Sequence, residues 1–340
     1  MRTQELIVIL LGILVVIALG GVLYLARSII LPFVVALFLA YLLDPIVRLL
    51  TRLRVPRPIA VCAALLTTFV FLALMGTLIY ASAQSFAKEY PKYEPKLRLL
   101  IATVVTRLEL APPDWQMADL GKKLASATVA KALLASLGSF VAFLGNLLLI
   151  FLFMVFILLG QHRLPARIQR AFGPEQAQRI LRVLEDITRQ VQAYLGTKAL
   201  ISLVTGVLVN LVLTLLGVDF AILWGALAFT LNFIPHIGSP IAALPPVLLA
   251  ILQFDTLVPA AWAAVSIAAI NVVLGGLIEP RLMGWHLNLS PLLVILSLLF
   301  WGWLWGIPGM VLAVPIMATL KIICENLKPL RAVSLLMSGD

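Results

Sequence analysis

Runs of about twenty apolar residues, the length a helix needs to cross a hydrocarbon core, recur along this chain between short clusters of charge. The first, Leu6 to Ala26, has 21 residues and no charge. It is too long for a signal-peptide core and no small-x-small cleavage site follows, so it reads as a retained helix. Ser28 to Val47 is the second, with Arg27 and Pro32 marking the turn between the two and Asp44-Pro45 near its end. An acid at that depth is costly unless it is paired or close to an interface, so Asp44 reads as either interfacial or functional. Ile59 to Ala83 and Gly138 to Gly160 are the third and fourth, Asn146 being the lone amide of the latter. Between them Gln84 to Leu137 is polar, with eight cations and five acids. Pro91, Pro95 and Pro112-Pro113 are predicted to punctuate short helices there, and Leu120, Leu124, Leu133, Leu134 and Leu137 give its second half an apolar face.

His162 to Lys198 carries seven cations and three acids. After Gly173-Pro174, Ile180, Leu184, Ile187, Val191 and Leu195 recur at spacings of three and four, which predicts an amphipathic helix lying on the membrane surface, with Glu185 and Arg189 as an i,i+4 pair. Ala199 to Leu216 is the fifth span, ending at Gly217-Val218-Asp219. Phe220 to Leu231 and Gly238 to Leu252 are each too short to span comfortably. Together they are one long broken helix or a re-entrant hairpin, around the stretch TLNFIPHIGSPIAALPP, Thr230 to Pro246. Pro235, Gly238 and Pro240 are predicted to break the helix, and Asn232 and His236 are the polar groups on the break. Leu257 to Ile278 is a full span containing Asn271 and Gly275-Gly276. A second break is predicted at Glu279 to Gly284, around Pro280 and Gly284, with Glu279 and Arg281 as a mutual ion pair or an interfacial anchor. Leu289 to Leu320, 32 residues long, is divided by Pro308 and Pro315.

Composition narrows the class. Of 340 residues, 62% are hydrophobic and 12% charged, against roughly half and a quarter in soluble domains. The predicted fold is all-α: a polytopic membrane protein of about eight transmembrane segments, with broken or re-entrant helices in its C-terminal half. The expected parts are N-terminal transmembrane helices (1–83), an extracytoplasmic helical segment (84–137), the fourth transmembrane helix (138–160), a cytoplasmic amphipathic segment (161–198), a C-terminal transport core (199–325) and a cytoplasmic tail (326–340). The net charge of +10 lies mainly between apolar runs, which fits topology rather than nucleic acid. Arg48, Arg52, Arg54 and Arg57 without an acid mark a cytoplasmic loop, which places both termini in the cytoplasm. Cys62 and Cys324 suggest no disulfide framework, and His162, His236 and His286 lack metal-ligand spacing, so neither metal nor cofactor is expected.

Several stretches together resemble the autoinducer-2 exporter family of bacterial inner-membrane permeases. They are ILPFVVALFLAYLLDPIV (Ile30 to Val47), YLGTKALISLVTGVL (Tyr194 to Leu208), NFIPHIGSPIAALPP (Asn232 to Pro246), IEPRLMG (Ile278 to Gly284) and LSPLLVILSLLFWGWLWGIPGMVLAVPIMATLKII (Leu289 to Ile323). The resemblance covers nearly the whole chain. It implies an integral permease of about eight segments and a homo-oligomer, with a pentamer as the candidate assembly. Some members are associated with export of autoinducer-2, others with exchange of sodium or lithium for protons. The motif residues carried over are Asn232, Pro235, Gly238, Glu279, Pro280 and Gly284.

The chemistry expected is secondary transport of a small polar solute or a monovalent cation, since no Gly-x-x-x-x-Gly-Lys loop is present for ATP. The two breaks would face each other along the pathway. Asn232 and Asn271 would bind hydroxyls, Glu279 a cation or the coupling proton, and Arg281 would pair with Glu279 or with an anionic group. A channel and a non-transporting scaffold are the competing classes. An enzyme is disfavoured, because the chain has no nucleophile-base constellation and no His-Glu-x-x-His.

Overall fold

The computed structural model describes residues 3–107, 147–283 and 289–339. Among these, every regular element is helical apart from a single bridge between Leu289 and Ser338. The helices are α1 (Thr3–Leu25), α2 (Arg27–Arg52), α3 (Arg57–Arg107), α4 (Leu147–Ala171), α5 (Pro174–Leu215), α6 (Ala221–Leu231), α7 (Gly238–Gln253) and α8 (Val258–Asn271). A π-helical stretch, Val272–Ile278, leads from α8 into α9 (Glu279–Met283), followed by α10 (Pro291–Asn326) and α11 (Arg331–Met337). Among the described residues, six helical stretches are long and apolar enough to cross a membrane, and α6 and α7 are shorter apolar helices. The second half of the polar segment after α3, Asn146, Gly284 and His286 lie outside the described residues.

Three predicted boundaries move. The first turn falls at Ala26, and Pro32 sits buried inside α2. Pro91 and Pro95 do not interrupt α3, which runs unbroken for 51 residues. The amphipathic segment and the fifth span are one helix of 42 residues, α5, not a surface helix followed by a separate span. Its stripe buries Ile187, Val191 and Leu195 against protein. Arg189 pairs with Asp186 at 3.2 Å and not with Glu185.

The chain divides into two compact units. The first comprises the described residues of Met1–Leu65, Asn146–Gly196 and Trp285–Asp340. In it α10 packs on α1 and α2: the Trp305 indole donates to Leu23 O at 3.4 Å, and Trp303 stacks on Tyr24. Asp44 is 1% exposed. Its carboxylate accepts from Arg48 Nε at 2.6 Å, from Gln192 Nε2 at 3.2 Å and from the Gln161 amide, so its burial is matched by donors.

α10 is a hairpin, not a rod. Ser297 Oγ donates to Ala313 O at 3.2 Å, yet sixteen residues of straight helix would separate these groups by about 24 Å. The bend is at Gly306, with φ 68° and ψ −146°, a conformation open to glycine and strained for any residue with a Cβ. Neither proline makes the break. Pro308 falls in the first turn of the returning arm, where its missing N–H leaves nothing unpaired. Pro315 is buried within that arm, its carbonyl accepting from Thr319 Oγ1 at 2.8 Å.

The second unit comprises the described residues of Leu66–Gly145 and Thr197–Gly284. α6 packs against α7, and α7 against α8, which settles the two short helices as a hairpin and not one interrupted span. Val209, Leu213, Trp224, Ala228, Leu249 and Ala263 lie at the centre of its core. Phe86 of α3 stands edge-on to Phe220 and Trp224, and the Tyr93 hydroxyl donates to Asp219. These contacts hold the proline-containing part of α3 helical although each proline removes a backbone bond. Gln253, at the end of α7, donates to Gly217 O at 2.7 Å and accepts from Asp219 N at 2.9 Å, tying the open end of the hairpin to the turn before it.

Candidate functional site

The tip of the α6–α7 hairpin is the turn Asn232–Ile237, and the break is shorter than the sequence predicts. Gly238 opens α7 and Pro240 lies in its first turn, where no N–H is needed. Gly238 is the residue that closes the tip. A Cβ there would stand 1.7 Å from Leu231 O, so only glycine lets α7 start this near the end of α6.

Asn232 is 5% exposed and points back into the unit. Its Nδ2 donates to Ser202 Oγ at 3.0 Å, and its Oδ1 accepts from Ser239 Oγ at 2.7 Å. Ser202 belongs to α5, on a buried face that also presents Lys198, Thr205 and Val209. The spacings of four, three and four put all of them on one stripe of the helix. Lys198, 4% exposed, donates from Nζ to Glu279 Oε1 at 2.6 Å. One turn of α5 therefore joins the two motif stretches, with Lys198 holding Glu279 and Ser202 holding Asn232.

Asn271 stands further along this seam, lining a narrow crevice with Thr205, Ala228, Ser239 and Ala242. The crevice is too tight for a water. Beyond Asn271 the helix widens into the π stretch Val272–Ile278. Pro280 does not break the chain, because the carbonyl its ring would strike in an α-helix, that of Gly276, lies in the widened turn.

Thus Asn232, Gly238, Asn271 and Glu279 come together in one buried seam. Pro235 lies in the turn, and His236, with φ 61°, is exposed. Arg281 is exposed, and the partner of Glu279 is Lys198. Lys198, Ser202, Thr205 and Ser239 were not singled out from the sequence. Lys198 had a signal, being the only Lys or Arg between Arg189 and Arg281.

The described residues, helical throughout apart from one bridge and holding several membrane-length apolar helices, define a multi-pass membrane protein. The model of the AI-2E transporter family matches residues 11–328, and the chain belongs to that family. It is similar to the AI-2 transport protein TqsA of Escherichia coli (strain K12), 35% identical over 98% of this chain and 95% of that protein. It is also similar to a candidate transport protein of Haemophilus influenzae, at 34% identity over 93% of this chain and 92% of the relative. A third relative, the candidate transport protein YhhT of Escherichia coli (strain K12), is 33% identical over 92% of this chain and 88% of its own length.

Proposed function

We propose that this chain is a secondary transporter carrying a small, hydroxyl-bearing polar solute across the bacterial inner membrane, with both termini in the cytoplasm. The observation that carries the reading is the seam itself: Ser202, Asn232 and Ser239 hydrogen-bonded in series, one helical turn from the Lys198–Glu279 pair. Each end of the Asn232 amide is engaged by a serine hydroxyl. A solute hydroxyl can replace either serine without loss of a hydrogen bond, so binding exchanges like for like. The closed crevice at Asn271 is an occluded state that must open to admit the solute. The relative named as an AI-2 transport protein makes autoinducer-2 the first solute to test.

Sodium or lithium exchange for protons is less well supported, since the Lys198 ammonium already occupies Glu279. The chain acts as a permease without enzymatic chemistry and assembles as a homo-oligomer, for which a pentamer is the form to test by native mass spectrometry. Flux in proteoliposomes decides the substrate. Labelled autoinducer-2 moving without a sodium-driven proton signal supports the exporter reading. A sodium-driven proton signal that disappears in Glu279→Gln supports exchange, and flux of neither sinks both.

A further inference from the structure

A second cavity lies apart from the seam. It is a cleft of about 630 Å³ in the first unit, bordered by α2, the start of α3, α4 and α5. That volume lies within the usual range for small-molecule sites. Its ionisable lining is Arg48, Arg57, Arg189 and His162 against Asp44 and Glu185.

The donors are unequally used. Asp44 is saturated by Arg48, Gln161 and Gln192, and Arg189 turns to Asp186. Arg57 is different. One of its terminal nitrogens donates to Leu158 O at 3.0 Å, while its Nε is buried with no acceptor among the described residues. No carboxylate among them reaches it within ion-pair distance. A guanidinium presents five N–H groups in a planar fork that matches two oxygens of one anion. Arg48 and Arg189 are each paired with an acid, so the uncompensated charge is that of Arg57, which a neutral guest would leave unpaired and an anion would neutralise.

We propose that this cleft binds an oxyanion, a phosphate or carboxylate group, with Arg57 as its principal anchor. The group comes either from a free small anion or from the headgroup of an acidic phospholipid. The inference does not rest on the seam or on its solute, so failure of the transport assay leaves it standing, and the reverse holds.

The test uses the full-length chain in phosphatidylcholine vesicles and follows modification of Arg57 by phenylglyoxal, read by peptide mass spectrometry, with exposed Arg331 as internal reference. Inorganic phosphate at constant ionic strength is expected to slow modification of Arg57 and leave Arg331 unchanged. At a concentration of about twice Kd the slowing is about threefold. This identifies a free anion. Slowing in vesicles containing phosphatidylglycerol without added phosphate identifies a lipid headgroup instead. Equal rates at Arg57 in all three conditions overturn the proposal. Wild-type protein serves throughout, so no variant need fold.

Discussion

Lys198 and Glu279 lie 81 residues apart in the chain and meet at 2.6 Å, their side chains only 5% and 17% exposed. Removing one partner of such a buried pair leaves the other charge uncompensated, at about 3–5 kcal/mol. Glu279→Gln is therefore expected to lower the melting temperature of the detergent-purified protein markedly. The double variant Lys198→Met with Glu279→Gln should regain most of that loss. A double variant that melts as low as the single one would show that the pair does not act as a unit. If the double variant regains stability without flux, the charges serve transport as well as folding.

Asn232 offers a second, gentler probe. Asn232→Ala deletes both hydrogen bonds of the seam and should cost about 1–3 kcal/mol, whereas Ser239→Ala removes only the one donor to Asn232 Oδ1 and should cost about 0.5–1.5 kcal/mol. Solute flux should fall in the same order. Thermal unfolding and proteoliposome uptake measured on the same preparations check both.

Two glycines close the two hairpins in the same way. A Cβ at Gly238 would lie 1.7 Å from Leu231 O, and one at Gly309 would lie 2.0 Å from Trp301 O. Gly238→Ala and Gly309→Ala must each spread a hairpin tip, and overpacking of this kind costs typically 1–3 kcal/mol or more. Gly275, with nothing within 4 Å of its Cβ position, is the control. Gly275→Ala should melt within a degree or two of the wild type.

Asp44 and Arg48 separate burial from charge. Arg48 is 63% exposed on its side chain, so Arg48→Gln should change stability by less than about 1 kcal/mol. Asp44→Ala strands the Gln161 and Gln192 amides in the interior and should cost about 1–3 kcal/mol. Urea or thermal melts of the two variants side by side test the contrast.

The local pattern of the chain predicts local structure well. The lengths of α6 and α7 and the polar turn between them follow from apolar runs bounded by prolines and Gly238. Proline positions misled, because a proline in a first turn or beside a π stretch breaks nothing: Pro240, Pro280 and Pro308 all fall in such places, and Gly306 makes the bend instead. Arg281 drew attention as the cation nearest Glu279 in sequence. The true partner comes from another helix, and a pairing across 81 residues leaves no trace in a 3.6-residue period. What did remain legible was the isolation of Lys198. A cation heading a run of twenty residues without charge needs a counter-charge, and only Asp219, Asp255 and Glu279 are available before Arg281.

The cancellation of Lys198 by Glu279 also bears on membrane voltage. A lone charge carried across a membrane held at 100 mV exchanges about 2.3 kcal/mol with the field, whereas an ion pair displaced as a unit exchanges none. In the proposed transport cycle, a seam that moves with this pair intact and carries a neutral cargo would change its access without electrical work. Its turnover then follows the gradient of the solute and is indifferent to the energised state of the cell.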